Sequence, residues 1–212
     1  MPLLRTAKAP ALAPSPPLPT KGHLDSVLNV LRLYFTQLDN LVGAVVGRLG
    51  GKYLQFPQGA FTSRTTQSIA VINTPTRLTF DVTDYAAGVN YHTNNGIYVD
   101  QNGLYNVQFS MQLTNTDVQD HDAAIWLRID GVDVPWSSSV TTVPSLHGGQ
   151  PGYIVVAANF LVELLQGSYL EFWWAASNLA VQANALPPIT TPFVNPGSPS
   201  MVATLTFVSN LE

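Results

Sequence analysis

Leu104–Leu113, LYNVQFSMQL, is the stretch whose reading decides the fold. Tyr105, Val107, Phe109, Met111 and Leu113 alternate with Leu104, Asn106, Gln108, Ser110 and Gln112, the period of two that belongs to a strand with one face buried. Just before it, GIYVDQNG places Asp100, Gln101, Asn102 and Gly103 as a tight turn, and a hairpin is expected because Asn and Gly accept left-handed backbone. Downstream, AAIWLRIDGVDVPWSSS puts Ile125, Leu127 and Ile129 on one face. Its Asp130-Gly131 pair is a two-residue hairpin signal, with Val132 and Val134 on the returning strand.

Two further strands follow in GYIVVAANFLVELLQGSYLEFWWAAS, around a turn at Gln166-Gly167-Ser168. The second carries Leu170, Phe172 and Trp174 on one side and Glu171 and Trp173 on the other. Val202–Val208 closes the chain as a strand, and weaker signals lie at Tyr53–Phe56, Phe61–Ile72 and Arg77–Val82. No helical period of useful length interrupts them. The expected class is therefore all-β, a β-sandwich and most simply a jelly roll, over residues 50–212.

The N-terminal quarter reads differently. Residues 1–22 are rich in Pro and Ala, contain no acid and show neither regular period, which predicts an extended arm. Residues 23–49 predict one amphipathic helix: Leu24, Leu28, Leu31, Phe35, Leu38, Val42 and Val45 step by fours and threes, the seam spacing of a coiled coil. Asp25 is the expected N-cap, and Gly47, Gly50 and Gly51 the expected stop. So wide an apolar stripe needs cover.

Only 10% of the chain is charged, against about 25% in an ordinary domain, as befits a surface partly buried between subunits. Residues 1–53 set six basic side chains (Arg5, Lys8, Lys21, Arg32, Arg48, Lys52) against Asp25 and Asp39, a formal +4. The whole chain carries −4, which leaves −8 on the remainder. A basic arm on an acidic body suits docking to an acidic surface, and the acidic body disfavours nucleic acid. Pro10, Pro14, Pro16, Pro17 and Pro19 break any secretory apolar core, no membrane-length apolar run occurs, and there is no cysteine to staple the fold.

Reactive groups do not cluster in any familiar enzymatic pattern. There is no G-x-S-x-G elbow, GRLGGKY has Tyr53 where a phosphate-binding loop needs a hydroxyl residue, and His23, His92, His121 and His147 are scattered. Asp117, Asp120 and Asp122 beside His121 offer the oxygen donors a Ca²⁺ wants, although a solvated loop with Asp-satisfied turns is the commoner meaning. Trp126, Trp136, Trp173 and Trp174 point to core or interface rather than to a base-stacking platform, since no basic patch accompanies them. Ser145–Gly152 and Ala185–Ser200 are the expected tip loops. The expectation is a protein without catalysis, metal or cofactor.

The order GLYNVQFSMQLTNTDVQDHDAAIWLRIDGVDVPWSSS, VELLQGSYLEFWWA and SMVATLTFVSNL resembles the TNF/C1q-like jelly rolls of tailed-bacteriophage structural proteins. The likeness spans roughly Lys52 to Leu211 and departs at Ser168, where such domains more often carry an acid. It implies a homotrimer whose three helices cover one another's seams. It further implies a cement or decoration protein on the outer capsid surface. Arg5, Lys8 and Lys21 of the arm would attach it to the major capsid protein and tie neighbouring capsomers together. The rival expectation is a fibre-tip or head-fibre adhesin whose tip loops read a host-surface glycan. A secreted signalling ligand and a jelly-roll enzyme fit the residues less well.

Overall fold

The computed structural model describes residues 10–12, 14, 18, 20–46, 56–93 and 96–211, with backbone alone at 43–46. The chain divides into two compact units, Met1–Gln55 and Phe56–Glu212. In the first, α1 spans Lys21–Val46. It starts earlier than its seam predicts because Thr20 caps it: the Thr20 Oγ1 accepts the His23 N–H at 3.3 Å and its carbonyl the Leu24 N–H at 3.1 Å. Asp25, expected at the cap, lies inside the helix instead. The expected stop at Gly47, Gly50 and Gly51, and the expected strand at Tyr53–Gln55, lie outside the described residues; Phe56 is not in a strand.

The second unit is two antiparallel sheets. The first holds β1 (Gln58–Ser63), β2 (Gln67–Ser68), β4 (Val82–Ala87), β7 (Gly103–Asn115), β11 (Gly152–Leu164), β13 (Val181–Ala183) and β14 (Met201–Ser209). The second holds β3 (Thr76–Arg77), β5 (Val89–His92), β6 (Gly96–Val99), β8 (His121–Ile129), β9 (Val132–Asp133), β10 (Ser139–Val143) and β12 (Tyr169–Ala176). β7 is central to the first sheet. β11 runs along its whole length on one side, while β13 and β14 lie end to end on the other. The second sheet runs β10-β8-β12-β6-β5.

The alternation along β7 places Tyr105, Val107, Phe109, Met111 and Leu113 in the core between the sheets, each at most 4% exposed. Ile125 and Leu127 of β8, and Leu170, Phe172 and Trp174 of β12, are buried in the same cluster. Phe109 meets Phe172 edge to face at 5.4 Å, a favoured quadrupole geometry. Burial pushes the Tyr105 hydroxyl up to about 12 while it donates to the Gln101 carbonyl at 2.9 Å.

Asp130 and Gly131, at φ 50° and 81°, form the expected two-residue turn, with Ile129 paired to Val132. The turn at Asp100–Asn102 does not make a hairpin: β6 pairs with β12 and β5, whereas β7 belongs to the other sheet. Gln166–Ser168 likewise carries the chain from β11 in one sheet to β12 in the other. Phe61–Ile72 resolves into β1, which starts earlier, and the short β2. Of Arg77–Val82 only Arg77 and Val82 are in strands, at the ends of β3 and β4.

Candidate interaction surfaces

The attachment residues expected in the arm fall in two places. Arg5 and Lys8 lie outside the described residues, and Lys21 is the exposed first residue of α1. Of the seam, Leu24, Leu28, Phe35 and Val42 are more than half exposed, Leu31 and Leu38 are half-buried, and the Val45 side chain lies outside the described residues. Leu33, on the flank, is 66% exposed. Within its own unit the helix therefore displays apolar surface of the kind that soluble proteins bury against a partner. Among the described residues no helix is long and apolar enough to cross a membrane.

The first sheet turns its other face away from the core. Register with Leu104, Asn106, Gln108, Ser110 and Gln112 of β7 brings Leu161, Asn159, Ala157 and Val155 of β11 onto this face, with Thr206, Thr204 and Val202 of β14 on the opposite flank. Glu163, opposite Leu104, is the one carboxylate on this face among these three strands, which carry no Lys, Arg or His there. Val155 and Leu161 are each more than 60% exposed. Asn106 Oδ1 is buried amid them without a donor among the described residues. A buried acceptor left without a donor costs free energy until a partner supplies an N–H or O–H.

The acidic loop is a set of separate turns. Asp117 accepts from His121 Nε2 at 2.7 Å and from the Val118 N–H at 2.7 Å, and these bonds hold its carboxyl below the usual range. Asp120 instead accepts the Ser145 N–H, and Asp122 the Thr142 hydroxyl, each at 2.7 Å. The three carboxylates thus serve three different segments, and no group of ligands with metal-binding geometry occurs among the described residues.

The tryptophans separate into three environments. Trp174 is fully buried. Trp126 and Trp173 are paired neighbours on the outer face of the second sheet, where Trp126 Nε1 donates to Asp133 at 2.8 Å and Trp173 Nε1 to Glu171 at 3.0 Å. Glu171, 7% exposed, also takes Arg77 at 3.0 Å. These indole and carboxylate groups satisfy one another, an arrangement that stiffens the sheet. Trp136, in contrast, is 99% exposed, which its sequence neighbours gave no means of anticipating.

Loop 185–200, expected at a tip, arches over the end of β1 through the bridges Leu186–Ser198 and Ile189–Asn195. It roofs a cleft of about 700 Å³ whose walls include Pro187, Pro188, Pro196 and Pro199, with Thr62 and Arg64 opposite. Thr62 is bonded to Asp84, which also faces Arg64 at 3.6 Å. Compared with known proteins, the chain matches no family and no curated sequence.

Proposed function

We propose that the chain is a non-enzymatic virion protein, a trimeric cement or decoration protein of jelly-roll architecture on the outer surface of a bacteriophage capsid. The observation that carries the assembly is the outer face of the first sheet, uncharged but for Glu163, with Val155 and Leu161 in water and Asn106 Oδ1 lacking a donor. A second copy laid on that face buries the apolar groups and can complete Asn106, and its neighbours introduce few charges that must be desolvated.

Strand nesting supports the jelly roll. Within the β unit, β1 pairs with β14, β6 with β12, β7 with β11 and β8 with β10, a nesting of the kind that a long hairpin rolled into two sheets would have. The likeness of the strand motifs to phage jelly rolls supports the virion setting. The exposed seam of α1 and the basic arm supply the tie: three helices shield one another, and three linked arms act at high effective concentration on neighbouring capsomers. Light scattering on residues 50–212 tests the assembly. A trimer is expected, and a monomer at micromolar concentration removes the argument from the uncharged face.

A further inference from the structure

The connection between β13 and β14 runs over residues 184–200, longer than the about 15 residues beyond which loops outside regular strands become uncommon and usually serve a function. This one is held at both ends. The Ala185 N–H bonds the Thr66 hydroxyl at 3.1 Å, and that hydroxyl donates to Asn184 Oδ1 at 3.0 Å. The Ser200 hydroxyl donates to the Thr65 carbonyl at 2.7 Å, and its N–H to the Ser63 carbonyl at 2.9 Å. Between these anchors Leu186 and Ser198 exchange backbone bonds at 2.8 and 2.9 Å, as do Ile189 and Asn195 at 3.0 and 2.9 Å. The arch is therefore fixed by its own bonds, and the cleft under it is preformed.

That cleft, about 700 Å³, falls in the about 300–1,000 Å³ range of small-molecule sites. Its polar groups are of two kinds. Pro187, Pro188, Pro196 and Pro199 have no N–H, so they offer carbonyl oxygens and the C–H faces of their rings. Arg64 supplies donors: the Asp84 carboxylate beside it stands 3.6 Å from Nη2, too far for a hydrogen bond. Charge narrows the ligand further. Asp84 flanks Arg64, and Asp81 accepts the Arg64 N–H at 2.8 Å, so one cation stands among two carboxylates and an anion gains nothing there.

We propose that the cleft is a binding site for a neutral saccharide. A pyranose ring presents C–H faces to the prolines, and its hydroxyls both donate and accept, which matches acceptor-only carbonyls together with a guanidinium. A purely apolar side chain would leave the guanidinium desolvated without an acceptor, and an anion would meet the two carboxylates. The site is built within the β unit alone and is independent of the cement reading.

The test titrates isotope-labelled full-length protein, followed by nuclear magnetic resonance, with methyl α-glucoside, methyl β-galactoside, methyl α-mannoside and N-acetylglucosamine, and separately with glucuronate, inorganic phosphate and indole. At least one neutral sugar is expected to shift the backbone amides of Arg64, Thr66, Leu186, Gly197 and Ser198 saturably, with the millimolar Kd of so small a ligand. Arg64→Ala removes an exposed side chain whose ion pair contributes little to the fold. It should keep the melting temperature and weaken sugar binding at least about 10-fold. The proposal is overturned if no neutral sugar moves these amides, or if Arg64→Ala binds as tightly as the natural chain. Tighter binding of glucuronate or phosphate makes the cleft an anion site, and binding of indole alone makes it a socket for an apolar side chain; either result also overturns the proposal.

Discussion

The Arg128 guanidinium lies 4.0 Å over the Trp173 ring, while its Nε donates to Asp133 Oδ1 at 2.8 Å. Asp133 is also the acceptor for Trp126, so one cation and one anion clamp two cross-strand tryptophans. A planar guanidinium is needed to stack and donate at once, which an ammonium cannot do. Arg128→Lys is expected to lower stability by about 1 kcal/mol in urea unfolding, with fold and assembly intact. No loss would show that the stack contributes nothing.

Assembly should depend on both apolar surfaces. Leu161→Lys places a charge in the uncharged outer face and should drive residues 50–212 toward monomer in light scattering. On the proposed function, Leu31→Asp with Leu38→Asp should weaken capsid attachment and lower the melting temperature of the full-length protein. Unchanged stability and attachment would remove the helix seam from the mechanism.

Deleting residues 2–21 removes Arg5, Lys8 and Lys21 but leaves the strands of the β unit. The truncated protein should keep the mass of the intact assembly and bind capsids much more weakly. On the same proposal, binding of the intact chain should fall as salt rises, because screening weakens the attraction of a cationic arm for an acidic surface. Full decoration by the truncated protein, together with lost host adsorption on removal of 185–200, would establish the adhesin alternative instead.

Gly152 opens β11 with its Cα hydrogen packed against the Pro144 carbonyl, and a Cβ there would overlap that oxygen. Both partners are backbone, so neither can swing aside. Gly152→Ala should cost about 2–3 kcal/mol by displacing the start of β11, readable as a lower urea midpoint. Gly148→Ala, whose Cβ meets nothing, isolates the φ effect from the clash.

Asp117 is held below the ordinary carboxylate value by His121 and the Val118 amide, and Asp133 by Arg128 and Trp126. In both, the folded state resists protonation more than the unfolded chain does. The stability they contribute is therefore present above about pH 4 and is lost as pH falls through the lowered folded values. Melting temperature should decline as pH falls below about 4, and Asp117→Asn with Asp133→Asn should flatten that decline. An unaltered slope would assign the acid sensitivity to other groups.

Strand existence was legible wherever one face is buried, because alternation follows from the pleat alone: Tyr105 to Leu113, Ile125 with Leu127, and Leu170 to Trp174 all turn inward as their spacing requires. The Asp130-Gly131 turn was legible too, since its backbone is chosen by the two residues themselves. β5 and the early start of β1 were not, their segments being short and mixed in pattern. The helix was placed by its seam, but its start was set by Thr20, where a hydroxyl was free to take the His23 amide.

What the sequence by itself determined is which side of each long strand avoids water, a property of neighbouring residues in the chain. Which strand each one pairs with was decided only in the folded protein. Asp100–Asn102 and Gln166–Ser168 have the residues of hairpin turns, yet both carry the chain across to the opposite sheet. A turn's composition permits a reversal without specifying whether the next strand closes beside the last or faces it. That choice belongs to β7, whose backbone is taken by β11 along one edge and by β13 and β14 along the other. Trp136 is the same lesson in one side chain: its residue type reads as core or interface, and only the turn made by Pro135 and buried Ser137 takes it out of the core and into solvent.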